Sequence, residues 1–336
     1  MTAAASADAP ARGGSALLEV DGLTTVFGAE GELTAVDDIS FTVRAGETLG
    51  LVGESGSGKS VTALSIMRLV ESPGRIAAGT IRLRGRNLRA ISEREMREVR
   101  GGEIALIFQE PMTALNPVFS VGSQVAEALL VHKRVDRRGV RDAVVELLES
   151  VRIPDPGLRY DDYPHQLSGG LRQRVMIAMG LACRPALLIA DEPTTALDAT
   201  LQAQILDLLG DLKERFALSV LLITHDLGVM AETADRVAIM YAGRIVEQGT
   251  VRDIFRRPKH PYTRGLLASL PGGTPGARLK AIEGTVPRLG QLPPGCAFAP
   301  RCPDRMARCD EAPPAVAPVA PGHDVRCYLH DGEGAG

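Results

Sequence analysis

The feature that most restricts how this 336-residue chain can fold is a glycine-rich segment, Gly53-Glu-Ser-Gly-Ser-Gly-Lys-Ser60. It follows an apolar run at residues 49–52 and precedes an apolar, helix-forming segment at residues 60–70. Such a segment between a strand and a helix is a P-loop, in which backbone N–H groups turn toward phosphate oxygens. In P-loops the lysine, here Lys59, neutralises the β- and γ-phosphates, and the following hydroxyl, here Ser60, binds Mg²⁺. The sequence therefore predicts a nucleotide site on a strand–loop–helix unit.

Residues 17–248 alternate short apolar runs with amphipathic stretches, a pattern that predicts an α/β fold. Helical periodicity is clear at residues 141–151, where Val144, Leu147, Leu148 and Val151 share one face. Continuous apolar runs are typical of parallel strands that are covered on both faces. Five such runs are predicted to be buried strands, at residues 48–52, 104–108, 187–190, 220–223 and 237–240.

Charge and hydropathy exclude several classes of protein. The net charge of −3 argues against a general nucleic-acid binder. Residues 1–15 lack the basic and apolar regions of a signal peptide, and we expect them to form a disordered tail. The longest apolar stretches, residues 175–183 and 218–224, are too short to cross a bilayer. We therefore expect a cytosolic chain, in which disulfides are not favoured.

Two carboxylates, Asp191 and Glu192, follow the apolar run at residues 187–190. An acidic pair after a strand often only caps the next helix. Together with a P-loop, however, Asp191 at the strand end is placed to hold Mg²⁺, directly or through water. Glu192 could then polarise the attacking water as a general base.

Three further elements point to one family. Leu167-Ser-Gly-Gly-Leu-Arg-Gln-Arg174 opens a predicted helix, Gln109 follows the run at residues 104–108, and His225 ends another apolar run. With these elements, residues 17–248 resemble the ATP-binding subunits of ABC transporters. The Leu-Ser-Gly-Gly element is specific to that superfamily and its ABC-type relatives, whereas the P-loop is not.

The resemblance implies a head-to-tail dimer. Ser168, Gly169 and Gly170 then act in trans on the ATP held by the partner's P-loop, through a hydroxyl, two amides and a helix N-terminus. Ala196-Leu-Asp198 is the loop that links the two sites, so that Asp198 also acts across the dimer. Leu171 departs from the family pattern, which usually has Gln there.

The resemblance also assigns roles within one subunit. Gln109 senses Mg²⁺ and the water, His225 contacts the γ-phosphate and orients the water with Glu192, and Phe27 stacks on adenine unless it is simply a core residue. The implied catalytic residues are Lys59, Glu192 and His225, and the implied Mg²⁺ site is Ser60, Gln109 and Asp191. The implied nucleotide contacts are Phe27, Gly53, Ser55, Gly56, Ser57, Gly58, Lys59, Ser60, Val61 and Gln109.

The segment between Gln109 and Ser168 is expected to be largely helical. In ABC proteins this helical subdomain, here about residues 110–168, contacts the transmembrane partners. Its first stretch, Gln109-Glu-Pro-Met-Thr-Ala-Leu-Asn-Pro117, closely resembles peptide-importer ATPases, as does Asp191-Glu-Pro-Thr-Thr-Ala-Leu-Asp-Ala-Thr200.

The last quarter of the chain has a different composition. Thirteen of the 22 prolines fall at residues 258–321, and four of the five cysteines, Cys296, Cys302, Cys309 and Cys327, lie close together in sequence. In a cytosolic protein, clustered thiols favour a metal or cluster over disulfides. Zinc sites usually carry a C-x₂₋₄-C pair, which is absent here, whereas an iron–sulfur cluster tolerates wider spacing. Zinc and unliganded thiols remain alternatives.

This tail resembles the C-terminal extension of oligopeptide and dipeptide importer ATPases, specifically their D-type subunit. The matching residues are His260-Pro-Tyr-Thr-Arg-Gly-Leu-Leu267, Pro294-Gly-Cys-Ala-Phe-Ala-Pro-Arg-Cys-Pro303 and Gly322-His-Asp-Val-Arg-Cys327. The resemblance implies that the four cysteines ligate a [4Fe-4S] cluster. We expect its role to be structural, with redox sensing as the alternative.

These observations predict a disordered tail (residues 1–15), an ABC ATPase domain (16–250) and a Pro/Cys-rich extension (251–336). The predicted function is ATP hydrolysis that energises the import of oligopeptides or dipeptides. The alternatives are a nickel or glutathione importer and a soluble, non-transport ABC ATPase. The implied partners are a second, different ATPase subunit, two transmembrane permease subunits and, indirectly, an extracytoplasmic solute-binding protein. The chain would lie peripherally on the cytoplasmic face of the membrane and contact no nucleic acid.

Overall fold

A computed structural model describes residues 15–29, 33–109, 114–195, 197–270 and 282–331. The predicted tail at residues 1–15 lies outside the described residues, apart from Ser15. The strands are β1 (Ala16–Phe27), β2 (Leu33–Arg44), β3 (Thr48–Val52), β4 (Arg75–Leu83), β5 (Arg86–Asn87), β6 (Ile104–Ile107), β7 (Leu187–Asp191), β8 (Ser219–Thr224), β9 (Arg236–Tyr241), β10 (Arg244–Thr250), β11 (Ala317–Ala320) and β12 (His323–Val325). The α-helices are α1 (Lys59–Ile66), α2 (Glu93–Gly102), α3 (Val121–Val131), α4 (Val140–Ser150), α5 (Pro156–Arg159), α6 (Gly169–Leu181), α7 (Ala199–Phe216), α8 (Leu227–Thr233), α9 (Val251–Arg256) and α10 (Pro261–Ala268).

The central sheet has the strand order β11-β12-β10-β9-β3-β8-β7-β6. The five strands from β9 to β6 are parallel to one another, as their continuous apolar sequences predict, whereas β10 pairs antiparallel with β9. The predicted strand bounds agree with the observed ones to within one residue. Phe108 is the one predicted end residue that lies outside its strand, and it is 46% exposed where the sheet ends.

Alternate residues of the central strands point into two separate cores. On β8, Val220 and Leu222 belong to a core with α3, α4, α6 and α7, whereas Leu221 and Ile223 belong to a core with β1, β2 and β4. Successive side chains on a strand point to opposite faces, so the central sheet contributes residues to both cores, one on each side. An antiparallel sheet of order β2-β1-β4-β5 forms the outer layer on the second side.

Two predicted helices are found with shifted ends. The helix predicted at residues 60–70 is α1, which ends at Ile66, because Arg68 adopts a left-handed conformation (φ 52°). The helix predicted at residues 141–151 is α4, one residue earlier at each end. No helix in the described ranges is both long and apolar enough to span a membrane.

The C-terminal residues join the central sheet. β12 pairs antiparallel with β10, and β11 pairs with β12, so the sheet continues into the last quarter of the chain. Buried Glu247 on β10 holds this junction together: its carboxylate accepts from the Lys259 and His260 amides at 2.8 and 2.9 Å and lies 2.8 Å from His323 Nε2. The extension therefore packs on the sheet through polar contacts that are removed from water.

Candidate nucleotide site

The glycine-rich loop connects β3 to α1, as predicted. Gly56 and Gly58 have φ values of 78° and 102°, which L side chains rarely adopt. A Cβ atom at Gly58 would lie 2.5 Å from the Ala35 carbonyl oxygen, so a larger residue would also collide with β2. The loop backbone then leads into the N-terminus of α1, where free N–H groups favour an anion.

Lys59 lies inside this loop and is 5% exposed. Its Nζ donates to the Gly53 and Glu54 carbonyls, at 2.8 and 3.1 Å. Burial lowers the pKa of Lys59, while the charges of Glu192, Asp191 and Glu54 oppose that shift. The carboxylates therefore favour a cation at the point where the loop would meet phosphates.

Asp191, the last residue of β7, is 8% exposed. Burial raises the pKa of Asp191, and a hydrogen bond from Ser60 opposes the rise. Its Oδ1 is buried without a hydrogen-bond partner. A buried, unpartnered carboxylate oxygen beside a hydroxyl fits the oxygen ligands that Mg²⁺ prefers. These residues fit the metal predicted at Ser60 and Asp191.

Glu192 is the most constrained side chain of the site. Its backbone has φ 46°, and its Oε2 accepts from Thr195 Oγ1 at 2.8 Å and from Gln109 Nε2 at 3.0 Å. His225 Nδ1 lies 3.3 Å from Oε1. Burial alone would raise the pKa of Glu192, but the hydrogen bonds of Thr195 and His225 leave that pKa below its usual value. The group is thus a carboxylate at neutral pH, as a general base must be.

The structure brings Lys59, Ser60, Asp191, Glu192, Gln109 and His225 to one edge of the sheet. Gln109, which was predicted to sense Mg²⁺ and the water, donates a hydrogen bond to Glu192. The side chain of His225 is 62% exposed. Thr195 was not predicted, although it stands three residues after Glu192 in the same acidic motif. The turn after β7 brings the Thr195 hydroxyl back to the Glu192 carboxylate, to which it donates a hydrogen bond.

The Leu-Ser-Gly-Gly element forms the start of α6. The Ser168 hydroxyl accepts from the Leu171 amide at 3.4 Å, and Ser168 and Gly169 are exposed. Asp198 caps α7 by accepting from Thr200 and Leu201 amides. Within the described residues, no hydrogen bond joins residues 168–170 to the P-loop of the same chain. Ala196, in the predicted linking loop, lies outside the described residues.

The other predicted nucleotide contacts vary in exposure. Ser55 is exposed at the loop tip, Ser57 is buried with an unpartnered Oγ, and Val61 is half-buried on α1. Phe27, at the end of β1, is half-buried and packs against Gly74, where a Cβ would lie 2.5 Å from its Cε1. Phe27 is not one of the fully buried residues of the core.

The four C-terminal cysteines line a single pocket together with His260 and Phe298. They are free thiols, and burial raises the pKa of Cys296 and of Cys327, and that of Cys302 to about 11. In the described ranges, however, no three His, Cys, Asp or Glu side chains converge as a metal site. The four cysteines therefore line one pocket, but the described residues give no support for the predicted iron–sulfur cluster.

Comparison with known proteins agrees with these elements. Residues 36–195 match the family described as "ABC transporter", and residues 246–309 match "Oligopeptide/dipeptide transporter, C-terminal region". The chain is 54% identical over 316 residues to a probable peptide ABC transporter ATP-binding protein of Sinorhizobium fredii, covering 93% of this chain and 94% of the relative. It is 52% identical over 326 residues to the oligopeptide transport ATP-binding protein AppD of Bacillus subtilis, covering 96% and 99%. The chain belongs to the ABC transporter ATPases.

Solved structures agree with this assignment. This ABC ATPase is similar to a dimeric ATP-binding cassette in a post-hydrolysis state bound to ADP and Pi, with a TM-score of 0.62 and 26% identity over 70% of this chain and 99% of that chain. It is also similar to cbiO1 from Clostridium perfringens, part of an ABC transporter complex, with a TM-score of 0.63 and 26% identity over 72% and 91%. The fold class predicted from the sequence is confirmed.

The ABC ATPase also has contacts at its P-loop that sequence reasoning missed. Arg301 forms an ion pair with Glu54, and Tyr262 accepts a hydrogen bond from the Glu54 amide at 3.1 Å. Both partners belong to the last quarter of the chain, more than 200 positions from Glu54. No local pattern joins residues at that separation, so only the tertiary structure reveals the contact.

Proposed function

We propose that this chain is the ATP-hydrolysing subunit of an importer of oligopeptides or dipeptides, acting through separate membrane permease subunits. The observation that carries the ATPase part is the Glu192 carboxylate, held by Thr195, Gln109 and His225 beside the Asp191–Ser60 pair. The match of residues 246–309 to a region of oligopeptide and dipeptide transporters carries the choice of substrate. We assign residues 16–250 to the ATPase domain, with its helical subdomain at about 110–168, and residues 251–336 to the extension.

In this proposal the chain's residues divide the work between binding and hydrolysis. The P-loop amides and Lys59 bind the β- and γ-phosphates of ATP, and Phe27 stacks on the adenine. Ser60, Asp191 and Gln109 would hold Mg²⁺, which withdraws charge from the phosphate oxygens when bound. Glu192 orients the attacking water and accepts its proton, and His225 contacts the γ-phosphate.

The second half of each site comes from a partner ATPase. Ser168 and Gly169 are exposed at the N-terminus of α6, a position from which a hydroxyl and amides can meet a phosphate of another chain. Ser168, Gly169, Gly170 and Asp198 are therefore proposed to act in trans, in a head-to-tail dimer. We propose that the partner is a different ATPase subunit.

The helical subdomain carries the surface proposed for the permeases. Val118 and Phe119 in this subdomain are 70% and 55% exposed, and Phe108, just before it, is 46% exposed; contact with a membrane subunit would cover these apolar side chains. Docking there would place the chain peripherally at the cytoplasmic face of the membrane.

We propose further that the cysteine pocket holds a [4Fe-4S] cluster with a structural role. The support for a shared group is that all four thiols line one pocket, and that their sequence contains no C-x₂₋₄-C pair of the kind usual at zinc sites. A cluster accepts each thiolate at a different iron, so its ligands surround a wider space. The donor chemistry and the shared pocket fit that group.

The test of the function is reconstitution. The chain, together with its partner ATPase subunit, should hydrolyse ATP, copurify with permease subunits and support peptide uptake into vesicles that carry those subunits. Uptake of nickel or glutathione in place of peptides would move the chain to another importer class. Association with ribosomes or DNA, without any permease, would overturn the transport function.

A further inference from the structure

The C-terminal extension contacts the nucleotide site directly, through the second residue of the P-loop. Two guanidinium nitrogens of Arg301 donate to the two carboxylate oxygens of Glu54, at 2.8 and 3.2 Å. The Tyr262 hydroxyl accepts from the Glu54 amide at 3.1 Å. Both the side chain and the backbone of this loop residue are thus held by residues that lie outside the ATP-binding fold.

Arg301 is itself held in one orientation. Its side chain is 6% exposed, and it also donates to the Glu283 carbonyl at 3.0 Å and to the Tyr241 hydroxyl at 3.4 Å. Paired, mostly buried guanidinium groups lose little further freedom when they bind a carboxylate. The guanidinium therefore reaches Glu54 already oriented by the extension.

An aromatic cluster fixes the same junction. Tyr241, at the end of β9, packs on Tyr262 and Phe298 with ring centroids 4.7 and 5.2 Å apart. All three rings are buried. Tyr241 is followed by the turn whose Gly243 amide donates to the Ser57 carbonyl of the P-loop at 2.9 Å. The extension, the end of β9 and the P-loop consequently form one packed unit.

The charge of Glu54 is unfavourable for an anion-binding loop. Lys59 Nζ donates to the Glu54 carbonyl, and the Glu54 carboxylate is one of the charges felt by that ammonium group. A carboxylate on the same loop repels the phosphates that the loop must bind. Arg301 places a compensating positive charge on that carboxylate.

We propose that Arg301 is a positioning residue for ATP binding, which neutralises Glu54 and holds the P-loop so that the extension sets the nucleotide affinity. The inference rests on the proposed ATPase function and adds to it a determinant outside the nucleotide fold. A purely structural role for Arg301 would anchor the extension without changing how the loop binds phosphate.

Variants that change the charge of Arg301 or Glu54 distinguish a positioning role in ATP binding from a purely structural role. Arg301→Met leaves the Glu54 carboxylate unpaired and should raise the dissociation constant of the full-length chain for a fluorescent ATP analogue with Mg²⁺ by about tenfold. The double variant with Glu54→Gln removes both charges and should return the dissociation constant to within about threefold of wild type. Arg301→Lys should lie between, because it keeps the charge but loses the paired geometry.

Two controls complete the experiment. Arg257→Met breaks an exposed ion pair with Asp253 in the same part of the chain and should leave the dissociation constant unchanged. Glu54→Gln alone should bind the ATP analogue at least as tightly as wild type, because it removes a negative charge from the loop. This variant tests the inference even if Arg301→Met fails to fold.

Three results would overturn the inference. They are unchanged binding in Arg301→Met, a double variant as weak as Arg301→Met, and weaker binding in Glu54→Gln alone. If the wild-type chain itself did not bind ATP, the proposed function would fail instead, so the two failures are distinguishable.

Discussion

The nucleotide site and the cysteine pocket are both assembled from polar groups, but they differ in what holds those groups. Asp191 and Glu192 stand at the end of β7, and Lys59 and His225 follow β3 and β8, so the register of three parallel strands aligns them. The cysteines instead lie on loops and single 3₁₀ turns. Strand register therefore fixes the positions of the polar groups in the nucleotide site, whereas little regular structure fixes the thiols of the cysteine pocket.

The electrostatics of the two regions follow from this difference. At the nucleotide site, neighbouring polar groups keep the Glu192 carboxylate charged. In the cysteine pocket, burial raises the pKa of Cys296, Cys302 and Cys327. The charge of Arg244 offsets only part of the rise for Cys296, and that of Arg264 only part of the rise for Cys327. The nucleotide site is thus preorganised for its ligand, whereas the proposed cluster would have to deprotonate the thiols and draw them together on binding.

The Glu192 carboxylate is the group whose loss should change the nucleotide site most. Glu192→Gln removes the proposed general base while keeping its shape, and we expect kcat to fall by about 10³-fold. ATP binding should persist, so that the closed dimer with the partner ATPase subunit accumulates, which size-exclusion chromatography of the two subunits with ATP can measure. Lys59→Ala is the contrasting variant and should lose ATP binding. Normal hydrolysis by Glu192→Gln would show that another group acts as the base.

The second prediction concerns the iron content of the cysteine pocket. The anaerobically purified chain should contain about four irons and show broad visible absorption. Cys302→Ser should lose the iron, whereas Cys183→Ala is the matched control, because Cys183 is buried near the end of α6 and outside the pocket. A colourless protein with one zinc, or with no metal at all, would contradict the cluster.

The junction between the two regions should weaken in acid. His260 is fully buried, accepts from the Tyr262 amide through Nδ1 at 3.0 Å, and burial lowers its pKa from 6.5 to about 4. An unfolded histidine binds a proton more readily than this one, so stability is full above pH 6.5 and declines as the pH falls toward 4. Between pH 7.5 and pH 5 we expect a loss of about 2 kcal/mol in the free energy of unfolding.

Denaturant unfolding at the two pH values measures this loss. His260→Asn keeps an acceptor for the Tyr262 amide without a titrating ring, and its stability should change less over the same interval. An equal loss of stability in His260→Asn would assign the acid sensitivity to other groups, such as Glu247.

The smallest effect concerns Thr195, which shares the Glu192 carboxylate with Gln109. Thr195→Val removes a hydrogen bond of 2.8 Å to a charged group, and we expect kcat to fall by about tenfold. Because that hydrogen bond lowers the pKa of Glu192, its loss should also move the acidic limb of the kcat–pH profile to higher pH. Thr195→Ser should retain both properties, and an unshifted profile in Thr195→Val would limit Thr195 to shaping the turn.

Much of the nucleotide site could be predicted because its residues occur in short motifs attached to strands. The P-loop, the Asp191–Glu192 pair and His225 each follow a continuous apolar run, and parallel strands bring their carboxyl ends to one edge. Thr195 could have been found in the same motif, but only the turn after β7 shows that its hydroxyl reaches Glu192. The 60–70 helix was predicted too long, since periodicity does not reveal the left-handed backbone at Arg68.

For the C-terminal extension, the sequence showed the unusual composition and the cysteine spacing but not how the loops pack. Spacing suggested that the four cysteines act together, and the structure does gather them in one pocket. That gathering depends on close backbone packing: a Cβ at Gly295 would lie 2.1 Å from the Cys309 carbonyl oxygen, and the Cys296 amide donates to that same oxygen at 2.7 Å. Such contacts between loops leave no periodic signal in a sequence.

Motifs and hydrophobic periods are local properties of the chain, so the α/β class and the family could be predicted from them. Only the tertiary structure decided that the extension adds β11 and β12 to the central sheet and that Arg301 reaches Glu54. The physical reason is that a contact across 247 positions is set by how strands and loops pack in space. Neither residue's neighbours in sequence carry that information.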